Sequence, residues 1–188
     1  MSTPYIQSLN AINFDNANAR QREILETAKK QVGFIPNMYA NMVNVPGVLS
    51  TYLHGYALFR EDSGFTPTEQ EVVFLAISQM NGCKYCTAAH SMLADKFSGV
   101  PASVLQAIRD SQPISDARLA AVFTLTQDLV KNLGKPTPSK IEAFFKAGFN
   151  ESQLLNIILA IAVKVLSNYS NHAFGTEVDE RFAPYKVV

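Results

Sequence analysis

Net charge is the first thing this sequence lacks. Its 188 residues hold 16 Lys+Arg against 16 Asp+Glu, for a formal charge of zero, and no basic run appears. Proteins that bind nucleic acid neutralise phosphates with a basic patch or stripe, so nucleic acid is not an expected partner. Cysteine is scarce as well. The two present lie three positions apart, too few for a disulfide framework and short of the four ligands of a closed zinc site. The longest apolar stretch, Leu154 to Leu166, is interrupted by Asn156 and Lys164 and falls below the roughly 20 residues of a membrane helix. The start, Met1-Ser-Thr-Pro-Tyr-Ile-Gln7, has neither the charged region nor the apolar region of a secretory leader. These absences lead to the expectation of no membrane partner and a cytoplasmic location, where neighbouring thiols rest reduced. No segment alternates with period two, so no strand is expected.

What is present is helical periodicity throughout, in a chain long enough for one substantial core. The reading is all-α, one domain over residues 1–188. Residues 1–15 read as a loose arm. Asn18 to Val32 reads as a surface helix, and Asn37 to Val43 as a short one. From Pro46 a helix runs to about Arg60 with Val48, Leu49, Tyr52, Leu53, Tyr56 and Phe59 as its buried stripe. Thr66-Pro-Thr-Glu69 has the form of a capping box with proline in the first turn. The helix it opens is expected to break at Asn81-Gly82, which puts Cys83 in the first turn of the next helix, to about Phe97. Further helices are read from Pro101 to Asp110, from a cap at Ser115 or Asp116 to Leu133, from Thr137 to Ala147, and from Asn150 to about Phe174. The polar tail offers Phe182 and Tyr185 as docking points.

A shift of 84 positions superposes the chain on itself. Gly64-Phe65 falls on Gly148-Phe149, Leu75-Ala76-Ile77 on Leu159-Ala160-Ile161, and Tyr85 on Tyr169. This predicts two related helical halves, roughly 34–110 and 115–178. Only the first half keeps reactive residues: Cys83 and Cys86 fall on Ser167 and Ser170, Glu71 on Leu155, and His90 on Phe174.

The stretch from Glu71 to His90 carries the chemistry. On a helix, steps of three, four and seven share a face, so Cys83, Cys86 and His90 form one stripe. Three readings stay open on the residues alone. They are a zinc site short of ligands, two inert buried thiols, or a redox pair with a base one turn away. No βαβ pattern surrounds the pair, so the context is not that of thioredoxin. Glu71 reads either as a first-turn carboxylate in solvent or as a partner of His90. His54 and His172 are secondary candidates, and His172 would reach the site if the halves pack face to face.

Glu71, eleven residues, Cys83-Lys-Tyr-Cys86, three residues and His90 resemble the active-site signature of the AhpD-like alkylhydroperoxidases within the carboxymuconolactone decarboxylase superfamily. The flanking Phe65-Thr-Pro-Thr-Glu-Gln-Glu71 and Asn81-Gly-Cys-Lys-Tyr-Cys86 resemble its peroxidase-related branch. The resemblance is strong over roughly residues 34–98 and weaker to about 175. Some AhpD proteins have a second histidine between the cysteines; here Tyr85 stands there. The resemblance implies an AhpD-like helical fold of two related halves. It also implies a thiol peroxidase acting on small organic hydroperoxides as an antioxidant enzyme, with no cofactor or metal. Catalytic residues would be Cys86, Cys83, His90 and Glu71. A dithiol, possibly carried on a lipoylated protein, would re-reduce the disulfide, and assembly would be a homotrimer or homohexamer. The alternatives are a carboxymuconolactone-decarboxylase-like lyase using His90 as base, and a non-catalytic thiol redox sensor.

Two arguments bear on which sulfur attacks. A helix start near Gly82 lowers the pKa of Cys83, an effect worth about 0.3–1 kcal/mol. A histidine one turn from Cys86 can lower a thiol by several units. The larger effect, together with the resemblance, assigns Cys86 as the attacking residue and Cys83 as the resolving, donor-facing one.

Overall fold

A computed structural model describes residues 3–187; Met1 and Ser2 of the expected arm and Val188 lie outside it. In order, the helices are α1 (Ala19–Val32), α2 (Asn37–Met42), α3 (Pro46–Asp62), α4 (Pro67–Met80), α5 (Lys84–Lys96), α6 (Ala102–Arg109), α7 (Ala117–Lys131), α8 (Pro138–Lys146) and α9 (Glu151–Phe174), with a 3-10 turn at Glu180–Tyr185. Among the described residues there is no strand, and the fold is all-α.

Side chains that accept from unpaired backbone N–H groups set the helix starts. Thr66 caps α4 and Asn150 caps α9, each within a capping box that Glu69 and Gln153 complete. These two boxes are themselves 84 positions apart, and so are the preceding Gly64 and Gly148, both at positive φ. Phe65 and Phe149 meet with ring centroids 5.6 Å apart, so the two equivalent helix starts sit side by side. Arg118 of α7 joins them: its guanidinium pairs with Glu69 at 2.6 Å and lies 3.8 Å over the Phe149 ring.

Two apolar clusters fill the interior. One gathers α4, α6, α7, α8 and the first half of α9 around Phe59, Phe74, Leu125, Phe144 and Ile157. The other gathers α1, α2, α3, the start of α5 and Phe182. The expected arm is laid down, with Tyr5 and Ile6 donating to Ala173 and Ile12 to Ala40. In the tail, Phe182 is buried and Tyr185 hydrogen-bonds Asp95, so both expected docking points dock.

The last helix corrects the apolar stretch read from the sequence. At 24 residues, with a window of mean hydropathy 1.3, α9 is long and apolar enough to cross a bilayer by length and composition. In this fold it packs on α2, α3, α4 and α5 instead, and it buries Lys164, Ser167, Asn168 and Asn171.

Candidate active site

The site begins at the break between α4 and α5. Gly82 takes φ +65°, a left-handed conformation open to glycine without the Cβ penalty. Its N–H bonds Gln79 O and the next N–H, of Cys83, bonds Ser78 O, both at 2.9 Å, the pairing of a Schellman stop. Cys83 therefore closes α4 and caps α5 at once. It was expected inside the first turn of α5; instead it is the N-cap, with Sγ accepting from the Cys86 N–H at 3.5 Å. Asn81 ties the break to α9 through Asn168 at 2.9 Å.

Both thiols are free and buried. Asn171 Nδ2 of α9 lies 3.3 Å from Cys86 Sγ and 3.7 Å from Cys83 Sγ, and Ser167 Oγ lies 3.9 Å from Cys86 Sγ. The two sulfurs are driven apart in acidity. Burial pushes Cys86 up, but the neighbouring Cys83 thiol and the charge of Lys164 outweigh it and hold Cys86 well below an ordinary thiol. The neighbouring Cys86 sulfur, then burial, push Cys83 far up. Cys86 is thus the more acidic sulfur and Cys83 the less acidic one.

Behind the sulfurs runs a buried polar chain. His90 Nδ1 is 2.8 Å from Glu71 Oε2 and His90 Nε2 is 2.9 Å from Lys164 Nζ. Arg60 holds the other Glu71 oxygen and also donates to the Tyr56 hydroxyl at 2.6 Å. Glu71 is fully buried, not the solvated first-turn carboxylate that the sequence left open. Burial pushes its carboxyl up, but the charges and hydrogen bonds of His90 and Arg60 bring it below the usual range. Burial and then the Lys164 charge lower His90, against Glu71. Phe74 lies tilted against the imidazole, with ring centroids 4.8 Å apart. With its nitrogens turned to Glu71 and Lys164, His90 contacts neither sulfur through a hydrogen bond. Nor does it join them as a ligand: among the described residues no cluster of three His, Cys, Asp or Glu is placed to hold a metal.

A cavity of about 460 Å³ opens onto this chain. Cys86, His90 and Lys164 line it together with Tyr39, Tyr52, Tyr56 and Tyr85, and with Phe34, Phe97, Arg181 and Phe182. Tyr85 both packs on Phe182 and hydrogen-bonds Asp179. Cys83, expected to face a reductant, is not among the lining residues; Cys86 is the sulfur the cavity reaches.

Cys83, Cys86 and His90 therefore lie near one another as their spacing implied, and Glu71 joins them by its hydrogen bond to His90. His54 is exposed on α3. His172 stacks on Tyr169, while its neighbours Asn168 and Asn171 turn inward. The sequence reading missed Lys164, Arg60, Ser167 and Asn171. The signal for Lys164 was there, as the one charge inside the most apolar helix.

Comparison with known proteins follows from this geometry. The model of the carboxymuconolactone decarboxylase family matches residues 48–128. No curated protein matches the chain. Among solved structures, the AhpD-core, peroxidase-related protein of Ralstonia eutropha JMP134 is 21% identical, with TM-score 0.78 and 96% of each chain covered. A peroxidase-related protein of Silicibacter sp. TM1040 is 19% identical, with TM-score 0.73 and 97% of each chain covered. The debrominase Bmp8, bound to 2,3,4-tribromopyrrole, is 12% identical, with TM-score 0.78 and 97% of each chain covered. At these identities the likeness is one of fold.

Proposed function

We propose that the chain, whose residues 48–128 match the carboxymuconolactone decarboxylase family model and whose fold is that of an AhpD-core protein, is a thiol peroxidase reducing organic hydroperoxides through Cys86 and Cys83. The observation that carries this reading is the asymmetry of the pair: the more acidic sulfur, Cys86, lines the cavity, and its neighbour Cys83 is a buried thiol that the cavity does not reach. The Cys86 thiolate attacks the terminal oxygen of the hydroperoxide. The O–O bond breaks, Cys86 becomes a sulfenic acid, and the departing alkoxide takes a proton from the Lys164–His90–Glu71 chain. Cys83 then attacks the sulfenic sulfur, the S–S bond forms and water leaves. A dithiol, such as a dihydrolipoyl group, returns the pair to thiols by exchange. The aromatic walls favour an apolar hydroperoxide, and a reductant entering the same cavity meets Cys86 first.

Turnover of cumene hydroperoxide with dihydrolipoamide, lost in Cys86→Ser, supports the reading. Activity that survives the loss of both cysteines would support lyase chemistry on His90. Debromination of tribromopyrrole without hydroperoxide turnover would move the reading to the chemistry of the debrominase neighbour. A single oxidation with no turnover by any dithiol would leave a redox sensor.

The proposal extends to self-association as a trimer or hexamer. Leu155, Ile158, Ala162, Val165 and Tyr169 of α9 repeat at steps of three and four, and Leu155, Ile158 and Tyr169 are 66%, 47% and 53% exposed. Such a stripe is the seam of a helix pair. Light scattering should give an oligomer at micromolar concentration that Ile158→Glu dissociates; a wild-type monomer removes the claim.

A further inference from the structure

We infer that Lys164, from the second half of the chain, is the group that stabilises the Cys86 thiolate and protonates the departing alkoxide, and that His90 positions it. The inference rests on the peroxidase reading for its substrate, but not for its geometry. An ionised Glu71 only accepts hydrogen bonds, so the His90 nitrogen 2.8 Å from it, Nδ1, carries the proton. The neutral ring then has one acceptor, Nε2, and Lys164 Nζ fills it at 2.9 Å. A second proton on His90 would set an N–H against the ammonium. His90 therefore cannot take the Cys86 proton while Lys164 is charged.

Lys164 has the placement the role needs. It is fully buried, and among the described residues it forms no salt bridge with a carboxylate. A buried charge without an anion is costly, and the Cys86 sulfur, which lines the same cavity as Lys164, can supply one. An ammonium has three N–H groups. One goes to His90, which leaves donors for the sulfur and for an oxygen entering the cavity. The Lys164 charge also holds the Cys86 thiol down.

Protons balance through the cycle. As the O–O bond breaks, the Lys164 ammonium gives one proton to the alkoxide and becomes an amine. The amine takes the Cys83 proton as that sulfur attacks the sulfenic acid, then passes it to the departing hydroxide, which leaves as water. Exchange with the external dithiol restores two thiols, and the Cys86 proton recharges Lys164.

The test is the pH dependence of Cys86 alkylation by iodoacetamide in a Cys83→Ser background. Lys164 shares the cavity lining with Cys86, His90 and Tyr85 from α5, Tyr39 from α2, and Tyr52 and Tyr56 from α3, with Glu71 and Arg60 behind His90, and all stay intact. Lys164→Met should move the alkylation midpoint up by about 1–3 pH units, the range for loss of an adjacent opposite charge, and Lys164→Arg should restore most of it. An unmoved midpoint in Lys164→Met overturns the inference. If the Met variant does not fold, nitrogen NMR of His90 in the wild-type protein decides: the Nδ1–H tautomer at neutral pH supports the assignment, and a doubly protonated ring refutes it. Alkylation needs no peroxide. A shifted midpoint in a protein that turns over no hydroperoxide would therefore keep Lys164 and discard the peroxidase, whereas an unmoved midpoint with intact turnover would do the opposite.

Discussion

α4 and α9 start alike and end differently. Each opens with a capping box, at positions 84 apart, and each follows a glycine at positive φ. α9 then runs unbroken to Phe174, while α4 stops at Met80 and a new helix begins at Lys84. The position of Gly82 corresponds to Leu166 in α9. The broken helix presents two sulfurs at a fresh helix start. The unbroken one presents Lys164, Ser167, Asn168 and Asn171 at steps of three and four on a single buried face. The reactive pair and the groups that tune it thus come from segments 84 positions apart, one broken at Gly82 and the other continuous through Leu166.

Breaking the break should have the largest effect. Gly82→Ala forces a Cβ into φ +65° and should cost about 1–2 kcal/mol, read by thermal denaturation, together with most of the turnover. Gly134→Ala is the control. Its φ is +82° and no atom lies within 4 Å of the added carbon, so it should lose similar stability and keep its rate. Equal loss of rate in both would mean that the α4–α5 stop has no special hold on the sulfurs.

Glu71→Gln comes next. It keeps the shape of the side chain and removes the charge between Arg60 and His90, which should slow turnover about tenfold, the equivalent of one pKa unit in its partner, without unfolding the chain. Wild-type rates across pH would reduce Glu71 to a structural bridge.

The smallest effect is a slope in stability with pH. His90 and Glu71 both titrate below their ordinary values in the fold. The unfolded chain therefore binds these protons more tightly, and acidification favours unfolding. Their contribution is whole above about pH 6.5. It should decline below that as His90 titrates, and again below about pH 4.3 as Glu71 does. A urea midpoint that rises on acidification would reverse the sign.

These comparisons also mark what the sequence could carry. Helix starts were legible because a cap is local: Thr66 and Glu69 are three positions apart. The stop at Asn81-Gly82 was legible for the same reason. Cys83, Cys86 and His90 share one helix face, so their meeting followed from spacing. Glu71 and His90 lie 19 positions apart on different helices, and only the family resemblance joined them. Lys164 lies 74 positions from His90. Its role depends on how α9 is rotated against α5, which no local pattern sets. That same rotation sends Asn171 inward and leaves His172, one residue further round, stacked on Tyr169.

The most direct test of the account is where oxygen lands. Cys83→Ser, treated with one equivalent of hydroperoxide and a sulfenic-acid trap, should show the adduct on Cys86 by mass spectrometry. Cys86→Ser should react slowly, and the wild-type protein should give the Cys83–Cys86 disulfide. An adduct on Cys83 in Cys86→Ser, with none on Cys86, would exchange the two roles. No adduct in either variant and no disulfide in the wild type would contradict the redox cycle itself.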